Sequence, residues 1–405
     1  MNETTPVSAP QAAASPLTAI IRDEIARTGP ITFARFMAIA LYHPEHGYYL
    51  AERRRPGRQG DFLTAPEVHP FFGLTIGRHA AECWDRLGRP DPFTVIEYGS
   101  GIGGLAYDVI VGMLDTEPAI RPALRYQLND INPHRTRQAL AAMREAGFGE
   151  IVFADDGMPV TGAVLANEVA DALPAHRLRW TGTGFEEIRV GWDEARGFVD
   201  NPGPLSPEVA HWNPQSRLTR AGVDVSALPV DARLEVSPAA AAWMREVADR
   251  LTHGYALVID YGYPAVELYR DHRLRGLVRA YEGHTVTDNP YGAPGEQDLT
   301  VHVDFSALIA SGQEAGLDLI GLATQADFLA SAGLGEYLVA LQQEPDTSIE
   351  EYYRAQAAVF RLIDPGGMGR FRVLGMAKGA PADPPLRGFA GPSLPDTLGP
   401  RAFWK

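Results

Sequence analysis

Glu97-Tyr98-Gly99-Ser100-Gly101-Ile102-Gly103-Gly104 follows the apolar run Phe93 to Tyr98 and precedes the helical pattern Leu105 to Leu114. A glycine-rich turn between a strand and a helix is the opening unit of an open α/β sheet. Glycines are needed there because the backbone turns sharply and lets a ligand approach with no Cβ in the way. Gly99, Gly101 and Gly104 also satisfy the dinucleotide fingerprint, a pattern too general to choose a ligand by itself.

Outward from this turn, strand and helix alternate, which predicts a doubly wound sheet with helices on both faces. Strands are expected at Leu124 to Asn129, Ile151 to Phe153, Ala163 to Ala166 and Tyr255 to Asp260, with helices at His134 to Ala146 and Ala239 to Leu251. Leu317 to Thr324 and Phe371 to Lys378 read as two late strands, the second antiparallel after Pro365-Gly366-Gly367. Arg177 to Val199 reads as a β-hairpin and Tyr263 to Thr300 as a long insertion. The expected organisation is a disordered tail at 1–16, helices and a lid loop at 17–92, and a core at 93–379. Insertions are expected at about 176–235 and 263–300, and a second tail at 380–405.

The 405 residues carry a formal charge of -15, which disfavours a nucleic-acid partner and suits a cationic one. A single cysteine, Cys83, rules out an intramolecular disulfide and a thiolate metal cluster, so no metal is expected. No run approaches the roughly 18 apolar residues of a membrane span. The first residues lack the marks of a signal or transit peptide, so a cytoplasmic location is expected.

Charge around the glycine loop separates its candidate ligands. A dinucleotide presents an anionic pyrophosphate, whereas S-adenosylmethionine carries a sulfonium and an ammonium. Glu97 precedes the loop, Asp130 follows the second strand, Asp155 and Asp156 the third, and Glu168 the fourth. Carboxylates at successive strand ends converge on one crevice and favour S-adenosylmethionine. The cofactor set is therefore Glu97, Gly99, Ser100, Gly101, Gly103, Asp130 and one of Asp155 and Asp156, with Asp61 and Thr64 from a loop able to close over it. Glu97 also has a plain reading as a surface acid beside a structural glycine turn, and the other acids as helix-cap or turn residues.

Five motifs together resemble the MidA family, the mitochondrial complex I assembly methyltransferase and its bacterial relatives. They are Gly60 to Glu67, Glu97 to Gly101, Ala166 to Pro174, Ile259 to Gly262 and Asp298 to Phe305, within a resemblance that covers most of Thr18 to Lys378. It implies a class I methyltransferase fold and, for the mitochondrial member, symmetric dimethylation of an arginine in a complex I subunit. Two departures stand out: Val169-Ala170 replace a usual Phe-Phe pair, and Asp130 replaces a usual Glu. The smaller pair would widen the acceptor pocket.

A guanidinium is a poor nucleophile because its lone pairs are delocalised into the cation. Carboxylates orient it by bidentate pairing. Glu168 and Asp171, just past the fourth strand, are the candidates, with Asn167 offering an amide and His302 as a proton acceptor. The expected partner is a protein with an exposed arginine, and the insertions allow two copies to pair. Competing readings are a small-molecule N- or O-methyltransferase, an NAD(P)-dependent oxidoreductase and a non-catalytic assembly factor.

Overall fold

Seven strands form the central sheet of the computed structural model, which describes residues 15–51, 64–270, 273–282, 285–287 and 289–391. They are β1 (Phe93–Tyr98), β2 (Leu124–Asn129), β3 (Val152–Ala154), β4 (Val160–Asn167), β5 (Leu251–Asp260), β6 (Asp318–Thr324) and β7 (Arg372–Lys378). Their order is β6-β7-β5-β4-β1-β2-β3. β1 to β5 are mutually parallel, and β7 runs antiparallel to both β5 and β6. The sheet is thus the one expected, with an antiparallel last strand.

The strands read as nearly continuous apolar runs because both faces are covered. Along β1, Phe93 and Val95 enter one core while Ile96 and Tyr98 enter the other. The same alternation holds in β5, where Leu257 and Ile259 pack on one side and Ala256 and Val258 on the other. One core is closed by helices Phe71–Arg86 and Gly104–Thr116, the other by Pro238–Arg250 and Phe305–Glu314. β4 and β5 begin earlier than their apolar patterns suggest, at Val160 and Leu251. Helix Pro238–Arg250 passes into β5 with no Gly or Pro to mark the boundary.

The insertions build a second lobe. Gly197–Gly203, Phe185–Asp193, His176–Trp180 and Arg233–Val236 form a four-stranded antiparallel sheet in that order. Thr285–Thr287, Val278–Glu282 and Asp298–Val301 form a three-stranded one. Helices Pro16–Thr28 and Phe33–Tyr42 share a core with both, in which Leu17, Ile21, Phe33 and Phe36 meet Val190, Phe198, Val278 and Leu299. The expected tail falls on residues outside those described up to position 14, and Ser15 already caps the first helix. No helix among the described residues is long and apolar enough to cross a membrane.

Candidate active site

In-register pairing brings the carboxyl ends of the parallel strands to one edge: Tyr98 is level with Asn129 and Ala166, and Asn167 with Ile259. Whatever follows these residues lines a single crevice. Gly99, Gly101 and Gly103 follow β1 with φ of 68°, 54° and 87°, a left-handed path that ordinary residues avoid. Among the described residues, a Cβ on Gly101 would meet nothing within 4 Å.

Asp130 sits at this loop, accepting from the Gly101 N–H at 2.8 Å and from the Asn132 N–H at 2.8 Å. The Ser100 hydroxyl is buried beside it and has no hydrogen-bond partner among the described residues. Glu97 lies deeper, where the Tyr126 hydroxyl donates to it at 2.6 Å. Burial raises its pKa to about 8 against that bond, so near neutral pH it is largely uncharged. Glu97 is thus a buried acid near the end of β1.

Asp155 and Asp156 differ in their partners. Arg250 grips Asp155 bidentately at 2.8 and 2.6 Å, and the Asn129 amide donates to it at 2.6 Å. Burial pushes the Asp155 carboxyl up, but these bonds outweigh burial and hold it at about 2. Asp156 accepts from the Met158 N–H in a local turn. Asp61 lies outside the described residues, and Thr64 starts a helical turn with Glu67, whose carboxylate accepts from the Thr64 N–H at 3.2 Å.

Glu168 and Asp171 come together past β4. Glu168 has φ 53° and accepts from the Ala65 N–H at 3.4 Å and the Asn167 amide at 3.2 Å. Removal from solvent and then repulsion from Asp260 raise its pKa to about 8. Asp171 is pushed well above its usual range by removal from solvent and by Asp260, Asp298 and Glu168. Asn167 Oδ1 is buried with no partner among the described residues. His302 is not part of this group. Its ring lies 4.1 Å from that of Tyr261, and burial, reinforced by Arg279, Arg273 and Arg370, lowers its pKa to about 3. An imidazole so placed stays neutral and is a weak base.

Asp260 and Asp298 complete the acidic group, and reading the sequence for site residues passed over both. Asp260, the last residue of β5, accepts from three successive N–H groups, Val169 at 3.2 Å, Ala170 at 2.8 Å and Asp171 at 3.2 Å. It thereby fixes the segment that carries Glu168 and Asp171. The strand-end rule that selected Asp130 and Glu168 also selects Asp260 once applied to β5. Asp298 comes from the inserted lobe and accepts from the Tyr49 hydroxyl at 3.0 Å. Tyr42, Tyr49 and Tyr281 all sit near enough to Asp171 and Asp298 to have their pKa values raised by them, after the larger effect of burial. The result is a recessed acidic cluster with three tyrosines close by, and its chemistry suits a planar cation.

Residues 75–323 match the model of the Methyltransf_28 family, described as S-adenosyl-L-methionine-dependent methyltransferases. The mitochondrial protein arginine methyltransferase NDUFAF7 of Danio rerio is 29% identical over 388 residues, spanning 88% of this chain and 86% of that protein. Its Homo sapiens counterpart is 28% identical, over 84% and 79% of the two chains. A COG1565 superfamily member from Burkholderia thailandensis, crystallised with S-adenosyl-homocysteine, is 33% identical. It superposes with a TM-score of 0.82, covering 97% of this chain and 100% of that one. These relatives correct one expectation: NDUFAF7 is named mitochondrial in fish, frog and human, against the cytoplasmic location inferred here. That no helix among the described residues is long and apolar enough to cross a membrane carries no information about compartment.

Proposed function

We propose, from the premise that this chain belongs to the Methyltransf_28 family of S-adenosyl-L-methionine-dependent methyltransferases, that its acceptor is an arginine guanidinium of a partner protein. Family membership removes the nicotinamide oxidoreductase alternative. The observation that carries the acceptor is the acidic recess. Glu168, Asp171 and Asp260 lie together with no cationic partner among the described residues, an arrangement that is unfavourable until a cation enters. The names of the NDUFAF7 relatives point the same way, and the MidA resemblance extends the proposal to a subunit of respiratory complex I as the partner.

The glycine cradle fits the cofactor. The space at Gly101, the Ser100 hydroxyl and Asn167 carbonyl, unpartnered among the described residues, and the Asp130 carboxylate at the rim match a ligand bearing an ammonium and hydroxyl groups. Bound there, S-adenosylmethionine supplies an electrophilic methyl on a sulfonium leaving group. The chain's own residues do the rest. Glu168 and Asp171 pair with the guanidinium, fix its plane and draw charge away from the nitrogen to be methylated. Asp260 keeps both in position through its three N–H bonds. As the N–C bond forms, that nitrogen releases a proton, and Glu168, whose affinity for protons is raised, is placed to take it. His302, held neutral, plays no part in this transfer.

Transfer of labelled methyl to protein in an extract of cells lacking this enzyme tests the proposal. Glu168→Gln and Asp171→Asn are expected to bind S-adenosylhomocysteine with unchanged affinity while transfer falls by roughly two orders of magnitude, the loss seen when a transition-state charge partner is removed. Undiminished transfer by both variants would refute the acidic recess as the acceptor site.

A further inference from the structure

A cavity of about 430 Å³ is lined in part by Tyr261, the residue next to Asp260 of the acidic cluster, and has the opposite sign. Arg177, Arg273, Arg275, Arg279 and Arg370 line it, against Glu235 as the one acidic lining residue among those described. In a chain of net charge -15 this concentration of arginine is against the grain. Arg177 is internally committed, with Nη1 2.8 Å from Asp200 and Nε 3.8 Å from Glu235.

The others are held differently. The Arg273 guanidinium stands 4.0 Å from the centre of the Tyr263 ring and that of Arg370 4.8 Å from Tyr261. Aromatic faces orient these cations without neutralising them. Among the described residues, Arg273, Arg275 and Arg370 have no carboxylate partner, and Arg275 and Arg370 are exposed at the mouth. The cavity also contains His302, whose Nδ1 is buried with no hydrogen-bond partner among the described residues.

Position gives the cavity its meaning. Strand Val278–Glu282 presents Arg279 to the cavity, and Tyr281, on the same strand, lies near Asp171 and Asp298 of the recess. Tyr261 lines the cavity while its N–H donates to Asp260 at 2.7 Å. A ligand reaching both sites carries a cation and, a short distance along, an anion. We propose that this cavity binds an aspartate or glutamate carboxylate of the acceptor polypeptide close to the methylated arginine, and so selects among arginines. The inference rests on the arginine reading. A carboxylate is the fitting anion because planar guanidinium groups pair with it bidentately.

The test is fluorescence anisotropy with full-length protein saturated with S-adenosylhomocysteine. The probes are labelled short peptides with one central arginine, in which a single Glu is moved along an otherwise Gln-bearing parent. At least one Glu placement should bind roughly tenfold tighter than the parent, as a charge-assisted bidentate pair provides. That gain should vanish in Arg275→Gln/Arg370→Gln, whose affinity for S-adenosylhomocysteine stays unchanged. No gain at any placement, no binding of any peptide, or a gain that survives the double variant each overturns the proposal. A matched peptide with its arginine replaced by Gln separates the two readings. If its Glu-dependent gain persists and loss of arginine costs nothing, the carboxylate site stands and the arginine acceptor falls.

Discussion

Glu168 holds a left-handed backbone conformation, φ 53°, of the kind that costs a non-glycine residue about 1 kcal/mol or more. Its carboxyl is also destabilised, raised to about 8 by removal from solvent and by Asp260. Both costs vanish in Glu168→Gly, so that variant is expected to unfold at the same or higher denaturant concentration than the wild type while methyl transfer is lost. A fall in stability of more than about 1 kcal/mol would show that Glu168 is structural. Ionisation of the same group gives a pH signature. With the carboxyl poised near 8, transfer should rise with pH up to that region and then level off, and Glu168→Gln should lose the step along with most activity. Residues at strand ends, Asp130 and Glu168 among them, were legible because their position follows from the strand pattern alone. Asp298 was not, since only the folded lobe carries it to the recess. Nor was the fate of Asp155, whose partner Arg250 lies 95 positions away in the chain.

At the level of elements, two contacts hold the cofactor crevice in shape. Arg250, the last residue of helix Pro238–Arg250, and Asp155, just past β3, are each only 8% exposed in their side chains and 2.6 Å apart. Arg250→Ala strands a buried carboxylate and is expected to lower unfolding free energy by about 3 kcal/mol, measured by urea denaturation. A change under about 1 kcal/mol would mean the pair is solvated in solution. The second contact is the crossing of helices Phe71–Arg86 and Gly104–Thr116. A Cβ on Gly112 would come 2.4 Å from the Leu74 carbonyl oxygen, so Gly112→Ala forces the helices apart at a cost of about 1–3 kcal/mol. Because the second helix begins at the glycine loop, affinity for S-adenosylhomocysteine should fall with stability, which calorimetric titration would reveal. The loop, the alternating strands and the hairpin near Thr181-Gly182 were legible, since each is marked by local punctuation. The pairing of His176–Trp180 with Arg233–Val236 was not, because registers between distant segments leave no local trace.

Over the whole molecule, acids with raised and lowered pKa values oppose each other. Glu97 and Glu168, raised to about 8 from the usual 4.5, keep protons in the folded chain that the unfolded chain releases. Their contribution is complete below about 4.5 and is lost as pH rises to about 8. Asp155, lowered to about 2 from 3.8, contributes above 3.8 and loses that contribution as pH falls towards 2. Denaturation midpoints should therefore be higher near pH 5 than near pH 8, with the fall reduced in Glu97→Gln; a midpoint that climbs over this range would contradict the assignment. The same accumulation of proton-binding acids is what a guanidinium would relieve on entering the recess. The most direct measurement is identification, by mass spectrometry after hydrolysis, of the amino acid that receives isotopically labelled methyl from S-adenosylmethionine in an extract of cells lacking the enzyme. The account predicts methylarginine with the wild type and roughly a hundredfold less with Glu168→Gln. Label recovered in lysine, histidine or a small molecule, or in methylarginine to the same extent with the variant, would contradict it.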